Sequence, residues 1–234
     1  MYTIWRKEVS AYFSTPFGFV FMGIFLLLSG IVFATYNLVG GAGDLRGMFG
    51  LLSNMSFMTF PILTIKLFVD ERRAGTEPLL LTSRLTNADI VLGKYLAAGF
   101  VFLVTLLVTV VYVLVLLIFG FPDLSAIAAA YFGFFLLGMT LIAVCTFTSS
   151  LTDNYVTAAI ASFGVLVGLI MSGAASRTIQ IPIVSQLLKA LAITQQYDEL
   201  ILGILRPGPI VYFICFSAIL ICLTTISLAR RRYI

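Results

Sequence analysis

Six apolar runs dominate the sequence, near residues 17–39, 54–69, 93–119, 126–150, 155–173 and 209–229, each bounded by Gly, Pro, Asn, Asp or a charge. Most approach the ~20 residues a helix needs to cross a bilayer. In lipid an unpaired backbone group costs several kcal/mol, so a spanning segment must be a helix or part of a closed barrel. The ~10-residue alternation of a barrel strand is absent, so the runs are read as helices. Composition agrees: 61% of residues are hydrophobic and 10% charged, against roughly 45–50% and about 25% in soluble domains. The expected fold is an all-α integral membrane protein with six transmembrane helices in one domain, 1–234. The second run is short, but reaches Asp70 if Lys66 snorkels to the interface. The first run is too long for the apolar core of a cleaved signal, and no small-x-small site ends it, so it is read as an anchor.

Residues 1–15 do not form a span. Trp5, Val9, Tyr12 and Phe13 recur at helical spacing, with Arg6, Lys7 and Ser10 off that stripe. This is the pattern of a helix lying in the headgroup region; Pro16 then marks the turn into the first span. Six crossings return the chain to its starting side. That side holds ten basic residues (Arg6, Lys7, Lys66, Arg72, Arg73, Arg84, Lys94, Arg230, Arg231, Arg232) and the other four (Arg46, Arg177, Lys189, Arg206). The basic side is expected to be cytoplasmic, with both termini and Gly75 inside and Ser176 outside. Segment 174–208 is too polar to span and too apolar for a wet loop, and predicts one or two short helices in the outer leaflet.

Several chemistries are excluded. The chain has no histidine, which removes His-based acid–base catalysis, His metal sites and serine triads. Cys145, Cys215 and Cys222 lie in apolar runs without a CxxC pair and read as small packing residues. No Asp, Glu or Lys relay sits in mid-span, against a secondary transporter or a selective channel. The Gly93–Lys94 pair is no phosphate loop: Ala88 stands where a Walker A needs Gly, and Tyr95 where it needs Ser or Thr. Lys94 is placed instead at the membrane edge. No catalytic residue, metal site or nucleic-acid partner is expected.

The polar stretch between the second and third runs is the informative one. Asp70, Glu71, Arg72 and Arg73 close the second span, and Ala74–Gly75 breaks the helix. Thr76 can cap a short helix with Glu77 in its first turn, followed by Leu79, Leu80 and Leu81. Thr86 and Asp89, three apart, form a capping pair for the third span. Leucines flanked by charges on the cytoplasmic side suit a docking surface; the alternative is a turn that buries them in its own lipid interface.

"DERRAGTEPLLLTSRLTNADIVLGKYLA" resembles the signature of ABC-2 type transporter permeases, and within them is most similar to the gliding-motility-associated, GldF-like members. "SSLTDNYVTAAIASFGV" between the fourth and fifth spans, the Tyr-Asp-Glu-Leu segment before the last span and the Arg-rich end also fit. Ser83-Arg84-Leu85, where many relatives carry Pro, Pro78 within the short helix, and Arg206-Pro207-Gly208-Pro209 depart from the pattern. The resemblance implies a type V exporter-like fold with an N-terminal elbow helix. It makes Thr76–Leu81 a coupling helix inserted into a separate cytoplasmic ABC ATPase. Glu71, Arg72, Gly75, Thr76, Glu77, Leu79 and Leu80 would form that contact, with Asp153 and Asn154 a second one; Thr152 can cap the helix beside them. It implies two ATPase copies that bind ATP and Mg, no cofactor on this chain, and a second permease copy or a related permease. Membrane lipids and an outer-face auxiliary protein complete the partners, in a bacterial or archaeal inner membrane.

Gly164 and Gly168 are four apart in the fifth span and allow close helix approach, either within the chain or across a dimer. The 21 phenylalanines read as lipid-facing, with a Phe-lined cargo route as the alternative. The function expected is ATP-driven movement, by analogy export, of a lipid, polysaccharide, peptide or drug-like substrate. The alternatives are a mechanotransmitting or motility complex that moves no small cargo, and a membrane-embedded enzyme or scaffold.

Overall fold

In a computed structural model, residues 1–76, 86–119, 123–178, 192–201 and 206–231 are described. They form α1 (Tyr2–Ser14), α2 (Pro16–Phe33, continued by a π-helical turn Ala34–Val39), α3 (Arg46–Thr64), α4 (Lys66–Arg73) and α5 (Asn87–Val108). There follow α6 (Val110–Phe119), α7 (Leu124–Leu151), α8 (Tyr155–Thr178), α9 (Ile193–Ile201) and α10 (Pro207–Arg231). No strand occurs among the described residues. Six stretches are long and apolar enough to cross a membrane: Pro16–Val39, Arg46–Arg73, Asn87–Ile118, Leu124–Leu151, Tyr155–Gly173 and Pro207–Arg230. The all-α, six-span architecture expected from the sequence is therefore present. Hereafter the face on which α1 lies is called the terminal face.

Two spans begin earlier than hydropathy suggests. The second starts at Arg46, not near 54, because its polar residues bond within the helix. Ser53 donates to the Gly50 carbonyl at 2.8 Å, Asn54 to the same oxygen at 3.2 Å, and Ser56 to Leu52 at 2.7 Å. The third starts at Asn87, not at 93, because Thr86 and Asp89 close a full capping box there. The amide of Asp89 donates to Thr86 Oγ1 at 3.2 Å.

The fourth span, α7, is central and packs on α3, α5, α8, α9 and α10. Helices in lipid gain no hydrophobic drive toward one another, so close approach and hydrogen bonds hold them. A Cβ on Gly138 would lie 2.2 Å from the Phe102 ring, so α7 can meet α5 only through a glycine. Thr140 and Ser217 hydroxyls bond α7 to α10 at 3.0 Å, and Thr148 and Ser162 bond α7 to α8 at 2.5 Å. Such bonds contribute about 0.6 kcal/mol each.

Five phenylalanines depart from the lipid-facing expectation, while Phe13, Phe17, Phe19, Phe132 and Phe163 are exposed. Phe25, Phe49, Phe60, Phe102 and Phe134 are all buried and interlock, Phe60 on Phe102 with ring centroids 5.0 Å apart and Phe49 on Phe134 at 5.1 Å. They come from α2, α3, α5 and α7 and form the core rather than a lipid-facing coat or a cargo route. Aromatic pairs so arranged add about 0.5–1.5 kcal/mol beyond burial. α9 supplies one of the short helices expected before the last span, burying Ile193, Tyr197 and Leu200; Gly133 of α7 faces Leu200. Residues 179–191 lie outside the described residues.

Candidate functional site

The polar stretch after the second span grows out of a broken helix. Pro61 sits inside α3 and cannot donate a backbone bond, and Ile65 separates α3 from α4. Around that break, three carbonyls accept bonds from three other helices. Tyr12 of α1 donates to Leu63 O at 2.8 Å, Ser149 of α7 to Ile65 O at 3.3 Å, and Lys94 of α5 to Leu67 O at 2.5 Å. The short segment α4 is thus fixed at its root from every side. Burial, with Glu8 and Asp70 adding to it, pushes the Tyr12 phenol well above its ordinary range, so it stays a donor.

Lys94, expected at the membrane edge where the third span begins, is buried among protein groups there. Its side chain is 1% exposed, 3.0 Å from Glu8 Oε1 and 3.0 Å from Glu71 Oε2. It joins the terminal helix α1, the lever α4 and the third span in one ion triad. Lys7 extends the triad with a 3.1 Å bond to Glu71 Oε1. Partial burial opposes the Lys7 charge, but the Glu71 hydrogen bond and the Glu71 and Glu8 charges outweigh it, raising its pKa. Gly93, the other half of the pair, has a packing role. A Cβ there would lie 2.9 Å from Ile4 Cγ2, so the glycine seats α1 against α5. The Gly-Lys pair that fails as a phosphate loop is the seam between the terminal helix and the third span. A lysine at the start of an apolar run, with Glu8 and Glu71 on flanking segments, was the available signal for it.

On its other side α4 is tied to the turn between α7 and α8. Arg72 donates to Ser150 O at 2.6 Å, to Thr152 O at 2.5 Å and to Asp153 Oδ1 at 3.1 Å. Tyr155 donates to Asp70 Oδ1 at 2.5 Å, and the Arg73 guanidinium lies 4.5 Å from the Tyr155 ring centroid. The two loops assigned to ATPase contact, Arg72 and Asp153–Asn154, are therefore one connected platform. The cap of α8 differs from the expectation: Asn154 Oδ1 accepts from the Val156 amide at 3.2 Å, whereas the buried Thr152 hydroxyl has no hydrogen-bond partner among the described residues.

α4 ends as the sequence predicts. Gly75 takes φ +66, the left-handed conformation that favours glycine. The Thr76 amide donates to Glu71 O at 2.9 Å and the Gly75 amide to Arg72 O at 3.1 Å, which is a Schellman stop. Arg73, Ala74, Gly75 and Thr76 are exposed. The Glu71 and Arg72 side chains, expected to face a partner, turn inward instead, at 13% and 5% exposure. They brace the base of the exposed turn. Glu77, Leu79 and Leu80, and with them the predicted short helix, lie outside the described residues.

Gly164 and Gly168 have no atom within 4 Å of where a Cβ would stand. Among the described residues, this face of α8 is open.

A family model described as ABC-2 family transporter protein matches residues 58–230. The chain belongs to the ABC-2 transporter family. The match takes in the break at Ile65, α4, the Schellman stop, the capped start of the third span and the α7–α8 turn. Membership makes the chain a permease of an ABC transporter, a multi-pass membrane protein whose family partner is an ABC ATPase. No curated protein matches this ABC-2 permease.

Proposed function

We propose that this ABC-2 permease turns ATP hydrolysis in a separate cytoplasmic ATPase into substrate movement, through the segment that follows α4. The observation that supports this is the platform itself. Arg72, Asp70, Ser149 and Lys94 lock α4 to three spans and the α7–α8 turn, so force on residues 76–86 reaches the bundle without dissipating in a loose loop. In this reading Glu77, Leu79 and Leu80 enter the ATPase, and Gly75 and Thr76 form the pivot. The ten-to-four excess of basic residues favours the cytoplasm for the terminal face. Two permease copies, related through the open Gly164–Gly168 face, pair with two ATPase copies that hold the ATP and Mg. The chain itself hydrolyses nothing. Export of a lipid, polysaccharide, peptide or drug-like compound across a bacterial or archaeal inner membrane is the direction favoured. The likeness to GldF-type permeases supports, as a second reading, a motility complex that moves no small cargo.

Membrane sidedness is tested with single cysteines. Ser176, the outer position suggested by sequence, is buried and bonded to Gly173 O and Gln195; Gly43, exposed at the opposite face, replaces it. In sealed right-side-out vesicles, Gly43→Cys reacts with an impermeant maleimide and Gly75→Cys only after lysis. The reverse pattern overturns the orientation and with it the cytoplasmic docking.

A further inference from the structure

A cavity of about 170 Å³ opens at the terminal face between α1, α4 and α5, and its charged lining is Lys7, Glu8, Lys66, Asp70, Glu71 and Lys94. It is smaller than the ~300–1,000 Å³ of sites that enclose a drug-sized ligand. It sits where the terminal helix meets the starts and ends of membrane spans, at headgroup depth. Exposed Phe13, Phe17 and Phe19 stand at the neighbouring α1–α2 junction and offer an apolar surface beside the cavity.

Its polar groups are unevenly committed. Lys94 is spent on Glu8, Glu71 and the Leu67 carbonyl. Lys66 is not: its amine lies 3.5 Å above the Phe17 ring and 3.8 Å from Asp70 Oδ2, and it makes no hydrogen bond among the described residues. Lys7, 60% exposed, spends one donor on Glu71. Two ammonium groups thus retain donors for an anionic oxygen. On the acid side, Asp70 is 45% exposed, and the Glu8 contacts with Lys7 and Lys94 run through Oε1. Three lysines face three carboxylates, so the wall is neutral overall and gives a purely anionic group no net attraction. A group carrying a phosphate and a primary ammonium satisfies both sets.

We infer that this cavity holds the headgroup of a zwitterionic aminophospholipid from the leaflet at the terminal face. The phosphate takes Lys66 and Lys7, and the ammonium takes Asp70 and the free edge of Glu8. The inference rests on the membrane placement and the cavity, and not on the ATPase coupling, so either can fail alone.

The test uses the full chain, delipidated in detergent and titrated with palmitoyl-oleoyl phosphatidylethanolamine or the matching phosphatidylglycerol, with retained lipid counted by native mass spectrometry. Phosphatidylethanolamine is retained in preference. Lys66→Gln and Asp70→Asn each lower its retention about tenfold, the loss of one charge-assisted contact. Arg46→Gln, beside Asp44 and Asp123 at the opposite face, leaves it unchanged. Soluble phosphoethanolamine displaces the lipid; inorganic phosphate does so far less. Equal retention of the two lipids, or wild-type retention by both cavity variants, overturns the inference. Equal competition by inorganic phosphate overturns the ammonium contact and leaves a plain phosphate site. If Lys66→Gln fails to fold by circular dichroism, Asp70→Asn and the competition decide.

Discussion

Lys94→Ala is expected to lower stability by about 3–5 kcal/mol and the Tm in detergent by roughly 6–20 °C. The substitution removes the buried cation that contacts both Glu8 and Glu71, and leaves two carboxylates, 12% and 13% exposed, facing each other. Lys7 is mostly in water and cannot replace it. The Leu67 carbonyl also loses its donor at the broken helix. The penalty belongs to the stranded charges rather than to the triad's net contribution, since burying ions is itself costly. A triple variant, Lys94→Met with Glu8→Gln and Glu71→Gln, should therefore recover most of the loss. Thermal unfolding of the three proteins checks this. A wild-type Tm for Lys94→Ala would show that the triad is not formed.

Leu79→Asp is expected to weaken the complex with the ATPase by about 2 kcal/mol or more, roughly 30-fold, as loss of a buried apolar anchor does at other interfaces. Glu77→Ala should act in the same direction. Both positions follow the Schellman stop at Gly75 and Thr76, so the packing of the six spans should survive and the Tm stay unchanged. That separation distinguishes them from Glu71 and Arg72, whose substitution loosens the platform itself. Arg72→Ala would unpin the α7–α8 turn and lower both stability and coupling; Leu79→Asp would lower coupling alone. Co-purification and Tm, measured together, sort the two classes.

The spans were legible because lipid leaves few alternatives: long apolar runs must be helices. The capping box at Thr86 and the stop at Gly75 were legible because each is a local pattern within a few residues. The start of the second span was not, since Ser53, Asn54 and Ser56 count as polar while spending their groups on their own helix. The partners of Lys94 were hidden for a different reason. Its partners lie 86 and 23 positions away, and an isolated lysine near the start of a span looks like a snorkelling one. Arg72 shows the same limit. Sequence assigned it to a partner contact, but only the packed α7–α8 turn reveals that its side chain points inward. The phenylalanines could not be assigned to core or lipid by sequence, because both environments are apolar.

The central claim is that this ABC-2 permease is driven from outside itself, through residues 76–81. The most direct test is ATP hydrolysis in proteoliposomes, measured for the permease alone, for the permease with an ABC ATPase that co-purifies with it, and for that pair carrying Leu79→Asp. The expected result is no hydrolysis by the permease alone, activity in the pair that responds to the permease, and loss of that response in the variant at unchanged Tm. Hydrolysis by the permease alone, or a response indifferent to Leu79→Asp, would contradict it.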